Sequence, residues 1–95
     1  MDEIRDNRGA SRFELEESGQ AVFADYRRLD GRLVIDHVEA PPALRGSGAA
    51  GRLMEGIVAH AKAAHLKITP MCGYADAWLK RHPRYADLIS QAGAD

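Results

Sequence analysis

From Arg12 to Glu16 apolar and charged residues alternate: Phe13 and Leu15 between Arg12, Glu14 and Glu16. A repeat of two sets the apolar pair on one side of an extended chain, so a half-buried strand is predicted. Glu17-Ser18-Gly19-Gln20 reads as a turn. Ala21 to Leu29 predicts a second strand, with Val22, Ala24 and Tyr26 on one face. Asp30-Gly31 is a strong hairpin signal. Leu33 to Ala40 predicts a third strand, on which His37 shares a face with Leu33 and Ile35. The first half is expected to be an antiparallel three-strand meander.

The second half changes period. From Gly48 to about His65, the residues Leu53, Met54, Ile57, Val58, Ala61 and Ala64 recur at three- and four-residue spacing. That spacing lines up an apolar stripe on one long helix. Leu66 to Met71 predicts a short fourth strand. Because it is reached through a helix, it should run parallel to the third strand. Ala75 to His82 predicts a short helix, and Pro83 opens a last turn through Tyr85 and Leu88. The fold class is α+β, with the βαβ crossover of an α/β unit at its centre.

Size and charge narrow the options. The 95 residues suffice for one compact domain. Residues 1–10 are polar and are expected to be a flexible leader, with residues 11–95 as the domain. A net charge of -1 offers no broad basic field, so nucleic acid is not an expected partner. The single cysteine excludes an intrachain disulfide framework and a cysteine-based zinc cluster. His60 and His65 are spaced wrongly for a helical metal pair, so no metal is expected. No apolar run approaches the roughly 20 residues that cross a bilayer, and the first residues lack the apolar core of a signal peptide. A cytoplasmic protein without a membrane partner is expected.

One stretch carries specific chemistry. The third strand ends at Pro41-Pro42, and the turn Arg45-Gly46-Ser47-Gly48-Ala49-Ala50 leads into the long helix. Such a turn sets free backbone N–H groups at a helix N-terminus, an arrangement suited to phosphate or pyrophosphate. Its glycines let the backbone approach closely, and Arg45 can add a charge-assisted contact. The plainer reading is a tight strand-to-helix turn.

Arg45-Gly46-Ser47-Gly48-Ala49-Ala50 fits the Arg/Gln-x-x-Gly-x-Gly/Ala signature of GNAT-type N-acetyltransferases. Pro70-Met71-Cys72-Gly73-Tyr74 and Arg81-His82-Pro83-Arg84-Tyr85-Ala86-Asp87-Leu88 resemble the Pro-x-Cys strand end and the tail of a small one-module branch of that family. The likeness runs over about residues 11–89. It implies a minimal GNAT fold, acetyl-coenzyme A as donor and an amine acceptor, either a small amine or a protein lysine. It also implies that the third strand splays from its parallel neighbour near Val38, Glu39 and Ala40. The pantetheine arm could then pair there as an added strand, with a backbone N–H polarising the thioester carbonyl.

Three side chains are candidates for the chemistry. Cys72, at the end of a parallel strand and ahead of a helix, could orient the acetyl group, protonate the thiolate or carry the acetyl; it could also be a small buried hydrophobe. His37 is either a base for the amine or a histidine satisfied within the core. Tyr74 is a candidate acid toward the leaving thiolate. Two functions follow: direct acetyl transfer to an amine, or a non-enzymatic acyl-coenzyme A binding module that kept only the groove.

Overall fold

The alternating segments become strands and the three-four stripe becomes a helix in the computed structural model, which describes residues 4–90. In chain order the elements are β1 (Arg5–Asn7), β2 (Arg12–Glu17), β3 (Gln20–Leu29), β4 (Arg32–Glu39), α1 (Ala49–Ala63), β5 (Lys67–Pro70) and α2 (Gly73–Lys80). Short 3-10 turns cover Arg8–Ala10, Pro42–Leu44 and Pro83–Leu88. The sheet order follows the chain, β1 to β5. β1 to β4 pair antiparallel, and β5 runs parallel to β4 as the helical crossover requires.

Helix α1 lays its stripe on one face of the sheet. Leu53, Met54, Ile57, Val58 and Ala61 are buried against Phe13, Leu15, Val22, Ala24, Leu33, Ile35 and Ile68. Each large aliphatic side chain so buried contributes about 1.5–3 kcal/mol. The helix stops in a double C-terminal closure: His65 N–H donates to Lys62 C=O at 3.2 Å and Leu66 N–H to Ala61 C=O at 2.8 Å. His65 takes the left-handed conformation, φ 58, that this closure needs. The chain is thereby turned back into β5.

The sheet differs from the expected meander at two places. Residues 5–7, expected within a flexible leader, form β1, in register Arg5↔Glu14, Asp6↔Phe13 and Asn7↔Arg12. Tyr26 donates its hydroxyl hydrogen to Asp6 at 2.5 Å, and Asn7 donates to Glu14 at 3.1 Å. Ile4 packs on α1 where Gly56 offers no side chain; a Cβ there would collide with it. The Tyr26 and Gly56 anchors come from far along the chain, so a polar local sequence gives no sign of them. Residues 1–3 of the expected leader lie outside the described residues.

The second difference is a bulge in β4. Ala24 pairs with Val38 and Asp25 with His37, but Tyr26 pairs with Ile35, leaving Asp36 as an extra residue. One extra residue reverses the alternation beyond it. Leu33 and Ile35 face α1, and Val38 regains that face. His37 therefore lies on the opposite face with its partner Asp25, and not with Leu33 and Ile35 as a regular strand would have it.

Candidate functional site

The bulge coincides with the place where β5 leaves β4. Their pairing runs from Arg32↔Lys67 to Ile35↔Pro70 and ends there. Met71 and Cys72 both donate their backbone N–H to Ile35 C=O, at 2.9 and 3.1 Å, which closes the parallel ladder. Beyond Ile35, β4 keeps β3 on one side as far as Glu39 and has no β5 partner on the other. The result is an open strand edge at the C-terminal end of the parallel pair, where ligands bind in α/β sheets.

That edge is one wall of a groove of about 660 Å³, lined by His37, Val38, Glu39, Ala40, Leu44, Arg45, Gly46, Gly48, Ala50, Gly51 and Tyr74. The opposite wall is the turn into α1. Gly46 and Gly48 hold φ of 80 and 88, left-handed values that cost a side-chain-bearing residue energy. The first intrahelical bond is Arg52 N–H to Gly48 C=O at 3.0 Å. The amides of Ala50 and Gly51 precede it, so they have no helical acceptor and remain available to a ligand. Arg45 lies against this wall because its Nε donates to Ala40 C=O at 3.0 Å.

Most of the expected site residues meet here. Ser47 and Ala49 do not line the groove. Ser47 turns inward: its hydroxyl donates to Leu44 C=O at 2.6 Å and accepts the Ala49 N–H at 3.2 Å. It thereby shapes the turn. Ala49 is fully buried in the core. Cys72 also stands off the groove lining. It is half-buried, packs on the core and occupies the cap position of α2. Two residues on, Tyr74 lines the groove.

Leu44 and Gly51 were missing from the sequence reading. Leu44 is the buried residue of the 3-10 turn Pro42–Leu44 and packs under the groove. At Gly51 α1 faces two side chains of α2: a Cβ would lie 3.4 Å from Trp78 Nε1 and 4.0 Å from the Tyr74 hydroxyl. A glycine in the first turn of the helix, ahead of its apolar stripe, is the sign of such an approach that the sequence offers.

Electrostatics divide the groove. Burial raises the Tyr74 phenol above its ordinary value, and Cys72 adds to this while Arg81 opposes it. The phenol is protonated at neutral pH, as an ordinary tyrosine is. On the other wall His37 Nε2 lies 2.9 Å from Glu39 Oε1. The hydrogen bond from His37 holds the Glu39 carboxyl below its usual range, assisted by Arg45 and Arg12. Phe23 packs beside His37 with ring centroids 6.3 Å apart, and the Arg12 guanidinium caps Phe23 at 3.8 Å. Among the described residues, no group of three His, Cys, Asp or Glu side chains stands in metal-binding geometry. No described helix is long and apolar enough to cross a membrane.

Comparison with known proteins agrees with this fold. The sequence model of the GCN5-related N-acetyl-transferases matches residues 12–88. Among solved structures, the solution NMR structure of a candidate GCN5-like N-acetyltransferase from Staphylococcus aureus is similar, with a TM-score of 0.71 and 28% identity. The match covers 94% of this chain and 88% of that one. A search of curated proteins gives no match.

Proposed function

The chain belongs to the GCN5-related N-acetyltransferase family, and on that premise we propose that it transfers an acetyl group from acetyl-coenzyme A directly to an amine. One observation carries the reading: the open edge of β4 and the first turn of α1 form two walls of a single groove. An extended amide chain ending in a diphosphate needs those two features side by side. The residues fit such a ligand. Gly46 and Gly48 keep side chains out of the turn, Ala50 and Gly51 offer amides, and Arg45 brings a positive charge.

When bound, acetyl-coenzyme A supplies a thioester whose C–S bond breaks as the amine nitrogen bonds the carbonyl carbon, giving an amide and the free thiol. The protein's part is positioning and proton transfer. A backbone N–H on the open edge near Val38 donates to the carbonyl oxygen as negative charge grows there. Tyr74, which lines the groove and is protonated at neutral pH, gives its proton to the departing sulfur and regains one from water. His37 takes the proton lost by the amine and releases it to solvent. Cys72, off the groove lining, has an orienting part and does not carry the acetyl.

The test is acetylation of an amine panel, small amines and lysine peptides, with released thiol measured against an enzyme-free blank. Turnover that depends on acetyl-coenzyme A is expected. A folded protein whose melting temperature rises with acetyl-coenzyme A, yet acetylates no amine in the panel, would be a binding module instead. A protein that shows neither would refute the groove assignment.

A further inference from the structure

The bulge at Asp36 does more than end a ladder. It turns His37 away from α1 and onto the sheet face that carries Phe23, Asp25 and Glu39. Because His37 and Glu39 are two apart beyond the bulge, their side chains project together, and the ring meets the carboxylate at 2.9 Å. Both line the groove, and both are about half exposed, 53% and 52%. Resting on the reading of this groove as an acetyltransferase site, we propose that Glu39 is a positioning residue that fixes the orientation and tautomer of His37 for proton abstraction from the amine.

The chemistry follows from the acceptor-only nature of a carboxylate. Glu39 at neutral pH can bind only a ring N–H, so the neutral ring carries its hydrogen on Nε2 and its lone pair on Nδ1. In the reaction the amine N–H bond breaks as the N–C bond to the acetyl carbon forms. The proton passes to Nδ1, the imidazolium is balanced by the carboxylate, and Nδ1 then returns the proton to water. The other charges facing the pair are already engaged. On β3, Asp25 is bonded to Arg12 of β2 at 3.0 Å. On β4, Asp36 is bonded to Arg27 at 2.8 Å. From the turn, Arg45 is bonded to Ala40 at 3.0 Å. Glu39 is thus the one carboxylate in hydrogen-bond contact with the ring among the described residues.

The experiment compares wild type with Glu39→Gln, Glu39→Asp and His37→Gln by two independent measurements. The first is the ring nitrogen NMR shift of His37, which reports the tautomer whether or not the protein turns over. The second is steady-state kinetics in acetyl-coenzyme A and the amine, with melting temperature confirming the fold. Wild type should show the Nε2–H tautomer, and Glu39→Gln a mixture. Glu39→Gln should lose roughly tenfold in kcat with KM for acetyl-coenzyme A nearly unchanged, His37→Gln about a hundredfold, and Glu39→Asp should fall between wild type and Glu39→Gln. A wild-type tautomer in Glu39→Gln overturns the proposal. So does full kcat in Glu39→Gln beside a loss in His37→Gln. Absence of turnover in every protein, with the tautomer shift intact, would instead refute the acetyltransferase reading and leave the pairing standing.

Discussion

Gly48 concentrates two costs at one atom, so replacing it by alanine is an informative perturbation. It caps α1 at φ 88, where a side chain is strained whatever the space around it. Strain of that kind costs about 1 kcal/mol. The new methyl would also lie 3.0 Å from Arg52 Nη1. Arg52 cannot yield freely: its Nε and Nη2 each donate to Glu17 at 2.6 Å, and Nη2 also reaches Ser47 C=O at 3.3 Å. With the arginine partly exposed, loosening that clamp costs roughly 0.5–1 kcal/mol. Together Gly48→Ala should destabilise by about 2 kcal/mol, a fall of roughly 10 °C in melting temperature for a domain of this size. Gly46→Ala is the control, because its φ is 80 but a Cβ there meets nothing within 4 Å. It should show strain alone, a fall of about 5 °C. Scanning calorimetry on the three proteins measures both. Equal losses in the two variants would refute the Arg52 contact, and no loss in either would refute the strain argument. Cofactor titration adds a functional arm. Saturation at a hundred times Kd stabilises wild type by about 2.7 kcal/mol, and Gly48→Glu, which puts a carboxylate in the proposed phosphate site, should remove that shift.

Three further outcomes are expected. Tyr74→Phe should lower kcat by roughly 10- to 100-fold with little change in KM for acetyl-coenzyme A, because it removes the phenol proton offered to the leaving sulfur from the groove wall; an unchanged kcat removes Tyr74 from the chemistry. Cys72→Ser should cost only a few-fold in turnover, with no acetyl adduct on the wild-type intact mass, since the thiol stands off the groove lining; a labile adduct would restore the relay. The acid side of the stability profile should report Asp36 and Glu39. Arg27 holds Asp36 below the usual carboxylate range, and His37 does the same for Glu39. Lowered folded values mean that their contribution is present above about pH 4 and is lost as pH falls through the depressed values. Both pairs are exposed, so the effect should be small. Melting curves of wild type and Asp36→Asn between about pH 5 and 3 should converge toward low pH; curves that stay parallel would contradict the pairing.

The sequence alone determined whatever a short window can express. Alternation fixed β2 and β3, the apolar run Leu33-Val34-Ile35 fixed the start of β4, Asp30-Gly31 fixed the hairpin between β3 and β4, and the three-four stripe fixed α1 and hence the parallel β5. The glycine turn marked one wall of the groove for the same reason: left-handed φ at Gly46 and Gly48 is a local demand that residue type satisfies. Three features were decided by packing between distant segments. β1 exists because β2 pairs with it and Tyr26 and Gly56 offer it partners far along the chain, while its own residues are polar. The extra residue at Asp36 falls after the continuous apolar run Leu33-Val34-Ile35, which has no alternation to fix a phase, so the bulge is set by how β4 matches β3 in length and twist. That single residue moved His37 to the other face and onto Glu39. Cys72 stands off the groove lining and Tyr74 is in it, and the closure of the ladder, in which Ile35 C=O takes the two amides where β5 ends, sets both places. The closure holds Cys72 at the cap of α2, and α2 then presents Tyr74 across Gly51, a distance of contact that no sequence spacing encodes.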